Sequence, residues 1–280
     1  MVNDHIKEKS VNKFDDELVA AYLAYQINDF ENYAKALESL RNFVWTETPY
    51  KQDYNDASEF LEYYVTEMSE RWKQHMFYKT VRQSTCKNNH LQVISASETM
   101  FVTIKPAMYG TTRGSLQKFQ KLEKQDSGDE NSEFAKAFAE GVLKQITNSK
   151  VRGCIECGVR VDRESIVSEW PQFLFLQDFG PRPEGGTPVN TPLPARMNIS
   201  GISYALHSSV IATSSDGKHF YCQTTVPNLM NPGAPPFTAL IDNLSHRRMV
   251  LLDKTGENPA TIRRKNKKHY NVFVCYRKLT

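Results

Sequence analysis

Two groups of residues have the types and spacing that chemistry requires. The first is Cys154-Ile155-Glu156-Cys157-Gly158, a C-x-x-C followed by glycine. On a turn, such a pair presents two thiolates to one cation in tetrahedral geometry, and the glycine lets the knuckle close. Far upstream, Cys86-Lys87-Asn88-Asn89-His90 offers a further thiol and an imidazole. Cys86, His90, Cys154 and Cys157 together would make a Cys3His site for structural zinc; the alternative is a ribbon that folds without metal. The second group is His219, just after Ser214-Ser215-Asp216-Gly217, with a carboxylate and an amide further on in Ile241-Asp242-Asn243. A histidine held by a carboxylate is the base and its orienter in Cys/His/Asp catalysis, where the third group fixes the imidazole tautomer. The structural alternative is a surface histidine beside a turn.

The second group needs a sheet to hold it. Ile202 to Leu206 and Ser209 to Ala212 are short, β-branched and aromatic, and predict two strands. The Ser214–Gly217 turn then leads into a further strand from His219 to Cys222, which places His219 just past a hairpin tip at the mouth of the sheet. Residues 14–45 read as helices, with Leu18, Val19, Tyr22 and Leu23 on one face and Tyr33, Leu37 and Leu40 on another. A third helix starts at Asp56, with Glu59 completing a capping box, and repeats Phe60, Tyr64, Met68 and Trp72 every fourth residue. Strands are expected at Phe77 to Val81, Leu91 to Ser95 and Met100 to Ile104, flanking the first knuckle. The polar run Gln125 to Glu133 reads as a loop, and Phe134, Phe138, Val142 and Ile146 as the buried stripe of a packing helix. Trp170 to Phe179 is a buried-strand run with proline at its entrance. Pro181 to Arg196 and Pro227 to Pro236 read as loops, and Tyr270 to Arg277 as a closing strand.

Composition narrows the classes. The 280 residues are 40% hydrophobic and 24% charged, ordinary for a globular chain able to bury a sizeable core. A net charge of +3 gives no general affinity for nucleic acid. The one basic cluster, Arg263 to His269, has no interleaved aromatics and reads as a solvated turn rather than a nucleic-acid surface. No apolar run approaches membrane-spanning length, and the first residues have no apolar core of a secretory signal. Five scattered cysteines are no disulfide framework, so a reducing cytoplasmic or nuclear compartment is expected.

Several ordered segments resemble the ubiquitin-specific proteases. Gly217-x-His219-Phe220-Tyr221 with Tyr204 before it, then Ile241-Asp242-Asn243, then Tyr270 to Arg277, is similar to that family's histidine box and closing strand. Asn55-Asp56-Ala57-x-Glu59-Phe60-Leu61 is similar to a helix start of the family, and Trp170 to Phe179 to a strand across its palm. The two knuckles fall where its fingers ribbon carries C-x-x-C pairs. The resemblance implies an α+β, papain-like cysteine peptidase fold over residues 14–280, with a helical part at 14–76, fingers at 77–160 and a palm at 161–280. It implies hydrolysis of bonds at the C-terminus of ubiquitin, with ubiquitin or ubiquitinated proteins as partners and no membrane. His219 falls on the general base, Asp242 on its orienting partner, and Asn243 lies adjacent.

Three departures stand against the match. Asp178 replaces an arginine of the palm strand, and Asn89 stands where the first knuckle's second cysteine belongs, which leaves His90 to complete the set. No segment resembles the cysteine box that supplies the family's nucleophile. Cys222 lies at an odd offset from His219, so strand alternation points it to the opposite face. The chain is therefore expected not to hydrolyse by itself, being either a shortened form of a longer protease or a catalytically dead module that binds ubiquitin or serves as a scaffold.

Overall fold

The computed structural model describes residues 13–27, 29–50, 57–68, 72–104, 121, 128–147, 150–154, 156–178, 193–212, 220–226, 237–241, 249–253 and 270–279. The described residues divide into two compact units, a helical one up to Gln74 and a sheet-rich one from His75 onward.

In the helical unit, α1 (Lys13–Gln26) and α2 (Phe30–Glu47) are joined by a short turn. Asp29 caps α2, its carboxylate accepting the Asn32 N–H at 3.1 Å and satisfying one of the donors that a helix start leaves free. The buried stripe of α1 runs through Phe14, Ala21 and Ala24, whereas Leu23 is exposed, so the expected apolar face is displaced. Small alanines let α2 approach closely, and a count of large apolar residues misses them. The third helix is also shorter than the fourfold spacing predicts. α3 (Ala57–Tyr63) passes into a π-helical turn at Tyr64–Met68, and α4 is a single turn, Lys73–Met76. The expected cap, Asp56, lies outside the described residues. Phe14 packs against Phe43, Phe60 and Tyr64 at ring separations of 5.9, 6.4 and 4.9 Å. Beneath it the indole of Trp72 donates to the Tyr64 hydroxyl at 2.9 Å, which donates to the buried Asp15 carboxylate at 2.5 Å.

The sheet-rich unit holds two sheets. The smaller is a ribbon of two hairpins in the order β2-β1-β5-β4, from β1 (Tyr78–Thr85), β2 (Leu91–Thr99), β4 (Lys150–Gly153) and β5 (Arg160–Glu169). All its pairings are antiparallel. The larger runs β11-β10-β9-β8-β12-β6-β3, with β7 (Arg196–Ile199) beside β8. Its members are β3 (Phe101–Ile104), β6 (Phe173–Asp178), β8 (Ile202–Ala212), β9 (Phe220–Val226), β10 (Phe237–Ile241), β11 (Met249–Asp253) and β12 (Tyr270–Lys278). The closing strand is central, between β8 and β6. Two expectations are corrected here. The segments expected as separate strands around 202–212 form one continuous strand, because β12 pairs along both of them, with an irregularity that skips His207, while β7 and β9 pair with its first and second halves. Arg196, expected at the end of a loop, opens β7.

The helix α5 (Glu133–Ile146) covers one sheet face, with Phe134, Phe138, Val142 and Ile146 all buried as the spacing predicts. Ser132 caps it, accepting the Ala135 N–H at 3.1 Å. The strands answer with period-two pairs, Val102 and Ile104, Leu174 and Leu176, Val274 and Tyr276, all in the same core. Two buried tyrosines reach polar partners through this core, Tyr204 to the Pro171 carbonyl at 2.7 Å and Tyr276 to the Pro194 carbonyl at 2.8 Å. Each burial is thus satisfied at its polar tip.

Candidate metal centre and the histidine segment

The ribbon brings the two knuckles to one place. Cys86 to His90 turns between β1 and β2, and Cys154 to Val159 turns between β4 and β5. Because β1 pairs antiparallel with β5, with Gln83 opposite Glu164, both turns emerge at the same end of the ribbon. Each is closed by its own backbone. Asn89 N–H donates to the Cys86 carbonyl at 2.8 Å with Asn89 in the left-handed region (φ 60°), and Cys86 N–H donates to the His90 carbonyl at 3.2 Å. In the second turn Gly158 N–H donates to the Cys154 carbonyl at 2.9 Å, and Cys154 N–H to the Val159 carbonyl at 2.7 Å. Gly158 has φ 68°, where a side chain would be strained, which is why glycine follows the C-x-x-C.

Cys86, His90, Cys154 and Cys157 meet as expected, their donor atoms all within 4.8 Å of one another. The Cys86 and Cys157 sulfurs are 3.7 Å apart, and the Cys154 sulfur is 3.8 Å from His90 Nδ1. Ligands held at about 2.3 Å around a tetrahedral ion lie about 3.8 Å apart, so the spacing fits one such ion. Three thiols and an imidazole are a donor set suited to zinc. Asn89, at the position of the missing second cysteine, takes the left-handed conformation, and the next residue, His90, supplies the fourth donor of the cluster.

The backbone tunes the sulfurs. N–H donation from Cys157 leads the causes that lower the Cys154 thiol to about 6; burial opposes it, and His90 and the Glu156 N–H assist. The Val159 N–H favours a Cys157 thiolate, but burial and the neighbouring Cys154 and Cys86 sulfurs outweigh it and hold that thiol above its ordinary value. One sulfur of the pair is therefore ready to ligate while its neighbour keeps its proton longer. Glu156, which the sequence reading passed over, places a carboxylate oxygen 3.7 Å from His90 Nε2. Its position between the two cysteines of the knuckle was the signal available.

The other two cysteines are held in the sheet. Burial pushes the Cys222 thiol up to about 11. It pushes Cys275 up further, against a hydrogen bond to Ser208. At both, burial disfavours the thiolate, the opposite of what makes a thiol nucleophilic.

His219, Asp242 and Asn243 lie outside the described residues, as do the basic cluster 263–269 and the loop 227–236. The strands on which they border are described. Phe220, next after His219, opens β9 opposite Ala212 of β8, and Ile241, just before Asp242, closes β10 opposite Cys222. The sheet thus brings the start of β9 and the end of β10 to neighbouring positions. No helix among the described residues is long and apolar enough to cross a membrane.

No family model matches the sequence, and no curated protein matches it. Among solved structures, the chain is similar to a chain of the SAGA DUB module of Ubp8, Sgf11, Sus1 and Sgf73 bound to monoubiquitin, at 10% identity and a TM-score of 0.59. That match covers 95% of this chain and 59% of the other, so this chain spans less than two thirds of that relative's length. It is also similar to the Saccharomyces cerevisiae PAN2 pseudoubiquitin-hydrolase, at 12% identity and a TM-score of 0.50, over 99% of this chain and 76% of that one. At such identities the likeness is one of fold: the α+β fold of this chain is similar to that of these two structures.

Proposed function

We propose that this chain is a domain of the ubiquitin-specific protease type that binds ubiquitin, carries one structural zinc in its ribbon, and does not by itself hydrolyse ubiquitin. Residues 14–280 form that domain in this reading, with 14–76 as the helical part, 77–160 as the fingers and 161–280 as the palm. One observation carries it. All five cysteines are accounted for: three lie in the candidate metal cluster, and two are held in the sheet with thiols raised by burial. A thiolate is the nucleophile of this chemistry, and His219 with Asp242 as orienting partner and Asn243 beside it cannot form an acyl-enzyme alone. The register that brings β9 and β10 together supports the pairing of His219 with Asp242. The SAGA module to which the fold is similar is described as bound to monoubiquitin, which supports ubiquitin as partner.

The test has two parts. Titrating isotope-labelled ubiquitin should perturb a contiguous set of its amide resonances, and no perturbation at millimolar protein would remove the binding claim. The 280-residue chain should leave a fluorogenic ubiquitin amide intact. Turnover that Cys222→Ser abolishes would show that the nucleophile is present after all.

A further inference from the structure

The candidate metal cluster contains an arrangement beyond its four donors. His90 has two ring nitrogens, and they face different groups: Nδ1 lies 3.8 Å from the Cys154 sulfur and Nε2 lies 3.7 Å from Glu156 Oε2. The knuckle that carries His90 is short, so the imidazole reaches the cluster with the nitrogen nearer its own backbone. Glu156 sits in the other knuckle, between Cys154 and Cys157. Its backbone N–H is also among the groups that favour a Cys154 thiolate. One residue thus addresses two donors, a sulfur through its backbone and an imidazole through its side chain, and links the knuckles that β1 and β5 bring together.

We infer that Glu156 is a positioning residue for the metal centre, holding the proton of His90 on Nε2 so that Nδ1 is the free donor. A ligating histidine commonly gives its remaining N–H to a carboxylate, which fixes the tautomer and the ring plane and raises the basicity of the ligating nitrogen. Here the carboxylate comes from a variable position of a C-x-x-C turn rather than from a distant part of the fold. Glu156 is exposed and His90 half-buried, so the expected effect is at the lower end for such partners.

The inference rests on the zinc reading above, and the experiment separates the two. Zinc affinity is measured by chelator competition for the full chain and for Glu156→Gln, Glu156→Ala and Lys87→Ala, an exposed knuckle residue that serves as control. Nitrogen-15 shifts of the His90 ring are recorded on the zinc-loaded chain. The expected result is a metal-bound Nδ1, a protonated Nε2, about tenfold weaker zinc in both Glu156 variants, and no change in Lys87→Ala. Zinc bound by the unaltered chain with equal affinity in Glu156→Gln, or bound through Nε2 of His90, overturns the inference and leaves the metal site standing. Failure of the unaltered chain to take up zinc removes both.

Discussion

Cys154 and Cys222 are separated by about five units of acidity in one molecule, about 6 against about 11. Cys154 faces backbone N–H groups that stabilise a thiolate, whereas the environment of Cys222 only strips water from the charge. The two should therefore differ in alkylation. In the metal-free chain, where Cys154 is itself buried and is reached only when its turn opens, its alkylation by iodoacetamide should slow as pH drops through about 6, while Cys222 and Cys275 should react only at much higher pH. Mass spectrometry of peptides from a pH series reads this directly, and early labelling of Cys222 would contradict it. The sign for stability follows. Relative to an unfolded thiol near its ordinary value, the lowered Cys154 contributes stability that is complete above that value and lost as pH falls through about 6. The four cluster residues were legible because C-x-x-C is a spacing rule, and the cysteine-poor first knuckle still left one histidine nearby. Glu156 was not legible, because its importance depends on which ring nitrogen of His90 turns toward it.

Elements reveal a different division. The stripe Phe134, Phe138, Val142 and Ile146 declared α5 because four large apolar residues at helical spacing leave one interpretation. Phe138 is fully buried, 6.4 Å from the Tyr276 ring, and Phe138→Ala should cost about 3–5 kcal/mol in a denaturant titration. A loss under about 1 kcal/mol would mean the site collapses around the change. The helical unit was read less well. The fourfold repeat Phe60, Tyr64, Met68 and Trp72 implies one continuous helix, yet the chain turns π-helical at Tyr64. What joins Tyr64 to Trp72 is a polar relay ending on Asp15, a residue that carries no apolar signal. Tyr64→Phe removes the hydroxyl from that relay while keeping the ring beside Phe14, and should cost about 1–3 kcal/mol by the same measurement. In β8 composition suggested a break at His207, where the pairing with β12 is indeed irregular, yet β12 pairs on both sides of it and keeps the strand continuous.

At the scale of the whole molecule, fold travelled further than sequence. An identity of 10% accompanies a TM-score of 0.59 over nearly the full chain. A fold can outlast identical residues because it rests on patterns, and strand alternation and the packing-helix stripe are the patterns this sequence offered to a reader. The catalytic reading depends instead on His219, Asp242 and Asn243, single residues without a periodic signature.

The ribbon's two turns have a consequence for how the chain finds its structure. Cys86 and Cys157 are 71 positions apart, so joining their hairpins closes a long loop, at an entropic cost of about 4 kcal/mol. Each hairpin is local and can form early, but the β1–β5 seam between them is a distant contact and belongs among the late events of folding. A cation shared by both turns would bias that seam toward the closed state by mass action. Chelation should then expose the amides of Val81 and Ile166 to hydrogen exchange while Val274, in the centre of the large sheet, keeps its protection. Uniform loss of protection at all three would mean that the ribbon and the sheet open as one cooperative body.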